Sequence, residues 1–232
     1  MGGKPTIQGI TDRDMANHLD LEEQEQLDQI KHFWNQYGNL ITWCLIALLG
    51  AAAAWNGYQY WQRNQASQAA ALYDEVEKMV RGGDVQKMER ALADMRDRFG
   101  STAYAQQSAL LVAKAMVDAG NLQAAKSALV WVGEKASDKG LATIAKLRLA
   151  GILMAEKSYD DALKVLEGDF GDAFLALVAD RRGDIYHAQG KKLEAKIQYQ
   201  QAYKSFEDRT EYKRLVEIKL NAMGVDPTEG TK

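Results

Sequence analysis

The 232-residue chain has few of the residues that staple or interrupt a fold: one cysteine, two prolines and three histidines. The lone thiol, Cys44, excludes a disulfide framework. His18, His32 and His187 lie far apart, and none has a Cys or His partner at ligand spacing, so no metal cluster is expected. After Gln62 there is no sustained alternation of Val, Ile, Thr and aromatics of the kind strands require. There is also no glycine-rich phosphate loop, no Gly-x-Ser-x-Gly elbow and no His-Glu-x-x-His helix. No catalytic residue, cofactor, metal or small-molecule substrate is therefore assigned. A net charge of −3 lacks the positive excess of a nucleic-acid binder.

What the chain does have is an uncharged run. Residues 40–58 carry no charged side chain in a sequence that is otherwise 26% charged. At 1.5 Å rise per residue, about 20 apolar residues cover the hydrocarbon core of a bilayer, roughly 30 Å thick. A helix is the open segment that satisfies its own backbone there. Phe33, Trp34 and Tyr37 stand at one edge of the run, and Trp55, Tyr58, Tyr60 and Trp61 at the other, where amphipathic rings favour the two interfaces. One membrane crossing is expected. Because 39 mostly polar residues precede the run, the span reads as uncleaved rather than as a secretory signal. Within it Ala47, Gly50, Ala51, Ala54 and Gly57 form a stripe of small side chains, the kind of surface that lets membrane helices touch. Ahead of it Leu27, Ile30, Trp34 and Tyr37 recur at three and four, which predicts a short amphipathic helix. That helix would either lie on the interface or continue the spanning helix.

Orientation does not follow from charge. Lys31 precedes the span and Arg63 follows it, so the nearby cations balance. The first 39 residues are net −4, and the remainder is +1.

The part after Gln62 is a mosaic of Ala and Leu with charged faces and a single proline, Pro227, and is expected to be all helix. Three segments share one layout. The first runs through Ala109, Val112, Ala113 and Met116, turns at Gly120 and Asn121, and resumes with Ala125 and Leu129. The second runs through Leu149, Ala150 and Leu153, turns at Lys157 and Ser158, and resumes at Tyr159, Ala162 and Leu166. The third uses Ala179, Gly183 and Tyr186, turns at Gly190, and resumes at Leu193, Ala195, Tyr199 and Ala202. Ala125, Ala162 and Ala195 are 37 and 33 residues apart, which brackets the tetratricopeptide period of about 34. Small residues at Ala113, Ala150 and Gly183 would let the second helix of each hairpin approach through its own alanine. A degenerate earlier copy is expected over 66–98, turning at Gly82, Gly83 and Asp84, with Met88 in the alanine position. Such hairpins stack to share a core and leave a concave surface for partners.

On this geometry the inward-facing positions include Lys114, Asp118, Leu147, Met154, Asp180, Asp184 and His187, which form a candidate partner-binding surface. A solvated charged face accounts for the charged ones equally well. Arg181 and Arg182 are expected to pair with Asp180, Asp184 or Glu194 as structural ions. Asp160 and Asp161 enter a helix, where its N-terminal dipole favours negative charge.

Several of these stretches resemble the ancillary SecYEG translocon subunit (YfgM) family. The resemblance is carried by Gln26-Leu27-Asp28-Gln29-Ile30-Lys31-His32-Phe33-Trp34 with Gly38, by Tyr58-Gln59-Tyr60-Trp61 and Tyr73, by Leu147-Arg148-Leu149-Ala150, and by Ala179-Asp180-Arg181-Arg182-Gly183-Asp184. It extends over residues 25–223. It implies a bacterial inner-membrane protein with its N-terminus in the cytoplasm and its repeats in the periplasm. Its partners would be the SecYEG translocon and a membrane-anchored periplasmic chaperone such as PpiD, and its role would be to help pass newly translocated proteins to periplasmic chaperones. The acidic extension over 1–21 departs from the family pattern.

The expected architecture is all-α: one transmembrane helix followed by a tetratricopeptide-like α-solenoid of about four helical hairpins. The expected boundaries are an acidic cytoplasmic tail without fixed structure (1–24), a juxtamembrane amphipathic helix (25–39), the span (40–61), the repeat domain (62–222) and a flexible C-terminal tail (223–232). Two other classes stay open on the residues alone. One is a cytoplasm-facing repeat scaffold for assembly or signalling; the other is an enzyme using Asp180, Asp184 and His187 in the concave groove.

Overall fold

The computed structural model describes residues 13–207 and 210–227, with side chains from Glu25 onward. Among these residues there are nine α-helices, one 3-10 turn and no strand. The chain divides into two units, 1–62 and 63–232.

Helix α1 spans Arg13–Gly82. Between Pro5 and Pro227 the sequence has no proline, so nothing removes a ladder hydrogen bond inside this helix. The amphipathic segment continues the spanning helix. The backbone is already helical over 13–24, where no fixed structure is expected from the sequence. That stretch contains the good helix formers Arg13, Met15, Ala16, Leu19, Leu21, Glu22, Glu23 and Gln24 and holds no glycine or proline, which favours a helix. Residues 1–12 of the tail lie outside the described residues. Within α1, Trp34 lays its indole against Gly38, where a Cβ would stand 3.3 Å from the ring. The Thr42 hydroxyl donates to the Gly38 carbonyl at 2.7 Å. Ring pairs mark both edges of the apolar run: Phe33 with Tyr37 at 5.2 Å and Tyr58 with Trp61 at 6.1 Å.

The second unit is a row of antiparallel helix pairs. The end of α1 is followed by α2 (Val85–Phe99); then come α3 (Ala103–Asp118) with α4 (Leu122–Lys135), α5 (Lys139–Ala155) with α6 (Tyr159–Val165), and α7 (Leu175–Ala188) with α8 (Lys192–Ser205). A single helix, α9 (Glu211–Ala222), follows them. The degenerate first hairpin is present: Gly83 takes φ +71°, Asp84 caps α2 by accepting from Lys87 N–H at 3.1 Å, and Met88 is buried.

The three repeat turns share one geometry. Gly120, Lys157 and Gly190 adopt left-handed φ of 79°, 64° and 78°. The N–H of the next residue then bonds back to the carbonyl of Met116, Leu153 or Tyr186, at 2.8, 2.9 and 2.9 Å. This is a Schellman closure, and it satisfies carbonyls that the helix end would leave open. Gly224 closes α9 in the same way, with Val225 N–H on the Leu220 carbonyl at 3.0 Å.

Three apolar clusters follow one another along the row. The first joins Ala69 and Val76 of α1 to Met95, Ala113, Met116, Ala125, Leu129 and Leu149. The second is built on Ala150, Ala162, Leu166, Phe170, Val178 and Ile185, and the third on Ala179, Ala195, Tyr199, Ala202, Val216 and Leu220. Each helix pair thus buries its faces against its neighbours, the arrangement that lets a solenoid hold together without one central core.

Two local expectations change, at Gly183 and at the C-terminal segment, and one helix is shorter than its sisters. Gly183 makes room for the Tyr199 ring and not for an alanine: a Cβ there would come within 2.5 Å of Tyr199 Cδ1 and Cε1. Helix α6 is only seven residues long, because Gly168 and Gly171 turn the chain at φ +108° and +71°, and buried Leu166 and Phe170 occupy the space a longer helix would fill. The C-terminal segment is not loose at its start, since Met223 and Val225 pack on the third cluster. Its residues 228–232 lie outside the described ones.

Candidate partner-binding surface

Helices α3, α5 and α7, the first members of successive pairs, line a trough. Its main hollow measures about 500 Å³, and its apolar walls include Val117, Leu122, Leu147 and Ile152. A second hollow of about 170 Å³ adjoins it, sharing Leu147, Arg148 and Arg181 and reaching Tyr212. Gly151 keeps the floor open; a Cβ there would lie 3.8 Å from the Arg181 guanidinium.

The sequence-chosen residues take several placements in this frame. Lys114, Asp118 and Leu147 line the main hollow. Lys114 and Asp118 bond to each other at 3.0 Å across one helical turn. Met154 packs half-buried against the second cluster, and His187 is exposed in the last turn of α7. Asp180 and Asp184 face α9: the Lys219 ammonium donates to Asp180 Oδ1 at 2.7 Å and to Asp184 Oδ1 at 2.6 Å. The Tyr199 hydroxyl also donates to Asp184, at 2.9 Å, and Lys219 lies 5.2 Å from the Tyr199 ring centre. Three helices are thereby tied by one ionic knot. Asp180 is 6% exposed. Burial pushes its carboxyl above the usual 3.8 against the pull of the Lys219 hydrogen bond, and the negative Asp184 beside it adds to the rise. Burial and the same two carboxylates hold the Tyr199 phenol well above its usual 10.

Of the two arginines expected to be structural ions, Arg181 reaches Asp184 at 3.9 Å, whereas Arg182 donates to the Leu166 carbonyl and caps the short α6. Lys219 was not legible as the partner of either aspartate. It lies 39 and 35 residues downstream of them, in a helix that falls outside the hairpin repeat.

Comparison with known proteins agrees with this architecture. Residues 31–225 match the family described as a tetratricopeptide repeat-like domain. A protein of Neisseria gonorrhoeae named ancillary SecYEG translocon subunit is 32% identical over 213 residues, which is 90% of this chain and the whole of the relative. The chain belongs to the ancillary SecYEG translocon subunit family. Members from Haemophilus influenzae and Escherichia coli are 29% and 26% identical, each over 97% of its own length and 87% and 88% of this chain. In this family member, α1 is the helix among the described residues that is long and apolar enough to cross a membrane. Only 6% of its most apolar window is buried, so it is not the core helix of a soluble domain. Trp43, Leu48, Leu49 and Trp55 present bare side chains that lipid would cover. An ancillary translocon subunit built on such repeats is a non-enzymatic kind of protein.

Proposed function

We propose that this chain is an inner-membrane, non-enzymatic interaction subunit of the SecYEG translocon that helps pass newly translocated proteins to periplasmic chaperones. The N-terminus lies in the cytoplasm and the repeat domain in the periplasm. Residues 40–61 cross the bilayer, and the small-residue stripe of Ala47, Gly50, Ala51, Ala54 and Gly57 docks on neighbouring membrane helices. The repeats over 62–222 hold emerging segments in the trough of α3, α5 and α7 and present them to a membrane-anchored chaperone such as PpiD. Lys114, Asp118 and Leu147 contribute directly to that surface, and Met154 and His187 border the same inner helices. Asp180 and Asp184 shape it by fixing α7 to α9. The observation that carries the reading is an open apolar trough on a repeat unit whose relatives are named for the translocon.

A photo-crosslinking side chain at Leu147 tests it in cells carrying a secreted protein arrested during export. Adducts to the arrested chain are expected from Leu147 and not from exposed Lys192, which lies outside the trough. Equal labelling from both positions, or none from either, contradicts the reading. A compartment-sensitive reporter after Lys232 settles orientation: activity on the cytoplasmic side would favour an assembly or signalling scaffold, for which the balanced Lys31 and Arg63 leave room.

A further inference from the structure

The trough has an electrostatic character that its apolar walls conceal. The carboxylates that line its two hollows are Asp118 and Asp180, and each already has an ammonium partner: Lys114 at 3.0 Å and Lys219 at 2.7 Å. Its two lining guanidiniums are held far less fully. Arg148 donates one bond, to the Leu110 carbonyl at 3.1 Å, and among the described residues no carboxylate lies within ion-pair distance of it. Arg181 meets Asp184 only at 3.9 Å, and Asp184 is itself taken by Lys219 at 2.6 Å. A guanidinium has five N–H donors in a planar fork that matches a carboxylate, so both arginines keep donors free where the two hollows meet.

We propose that the trough selects apolar polypeptide segments that carry a carboxylate, with Arg148 and Arg181 as the residues that read it. Val117, Leu122 and Ile152 receive the apolar side chains, while the acidic group sits between the two guanidiniums beside Leu147. The proposal rests on the client-binding reading of the trough and names the chemical class of segment it takes. A pair of hollows joined side by side favours a linear chain over a compact ligand, since successive side chains of an extended segment can enter adjoining hollows. Arg148, which has no carboxylate within ion-pair distance among the described residues, stands next to an apolar floor and also discriminates against lysine-bearing segments, because burying two like charges together is unfavourable.

The test uses the full chain in lipid nanodiscs and fluorescent apolar peptides that differ at one central position, Glu, Gln or Lys, read by anisotropy at physiological salt. The Glu peptide is expected to bind about tenfold more tightly than the Gln peptide, the gain of one charge-assisted pair, and the Lys peptide most weakly. Arg148→Gln with Arg181→Gln removes the difference between Glu and Gln peptides. Arg148→Glu with Arg181→Glu reverses the order in favour of Lys, a gain that misfolding cannot imitate. Gly151→Leu, which fills the floor, weakens all three. If Glu and Gln peptides bind equally and Gly151→Leu abolishes both, the charge selection is wrong and the client-binding reading survives. If no peptide binds the unaltered chain, both fall.

Discussion

Lys157 is the one non-glycine with positive φ among the described residues, at 64°, in a turn where two sister positions hold glycine. A left-handed L-residue costs about 1–2 kcal/mol, and glycine recovers part of that after its own entropy loss. Lys157→Gly is therefore expected to raise stability by about 0.5–1 kcal/mol in a denaturant titration. Gly183 is the reverse case. Its missing Cβ is the space under the Tyr199 ring, so Gly183→Ala is expected to destabilise by about 1–3 kcal/mol. Tyr199→Leu in the same chain should relieve part of this, giving a non-additive cycle. Asp180 sets a pH dependence. Its folded carboxyl holds a proton more tightly than the unfolded one, so its contribution to stability is full below 3.8 and is lost as pH rises through the folded value. Melting compared across acid pH should show Asp180→Asn gaining stability relative to the unaltered chain as pH rises above 3.8. A constant difference would mean that Lys219 fully offsets the burial. At this scale the turn residues were legible, because a left-handed helix end selects glycine by its missing Cβ. Lys219 was not, since an ion pair across 39 residues leaves no local pattern.

Among the elements, the hairpins α3/α4, α5/α6 and α7/α8 were readable from small residues at a near-constant period, and the span from length and absence of charge. The short α6 and the unpaired α9 were not, because both depart from the period: Gly168 and Gly171 break the one, and Thr210 begins the other after the repeat has ended. The position of the trough could be anticipated only as a set of inward-facing residues. Its guanidiniums at Arg148 and Arg181 were missed because their worth depends on which carboxylates are already paired. Helix α9 closes the third cluster with fully buried Val216 and Leu220. Leu220→Ala is expected to cost about 2–4 kcal/mol, and hydrogen exchange should show α7 and α8 opening before α3 and α4, as nearest-neighbour stacking requires. Uniform acceleration across all helices would show instead that the repeat unit unfolds as one cooperative block.

For the whole molecule, one membrane-long helix precedes a repeat unit that carries an open trough, and the chain belongs to a family named for the SecYEG translocon. Membrane anchoring would give such a subunit a high effective concentration at its partner, so the contacts proposed for the small-residue stripe and the repeat surface need not be strong one by one. The most direct measurement is gentle detergent extraction of native membranes, affinity capture through a tag after Lys232, and mass spectrometry of what co-purifies, beside a variant whose residues 40–58 are scrambled in order. Enrichment of SecY, SecE and SecG together with a membrane-anchored chaperone, lost in the scrambled variant, is the predicted result. Recovery of cytoplasmic proteins without translocon subunits would contradict both the orientation and the function proposed for this chain.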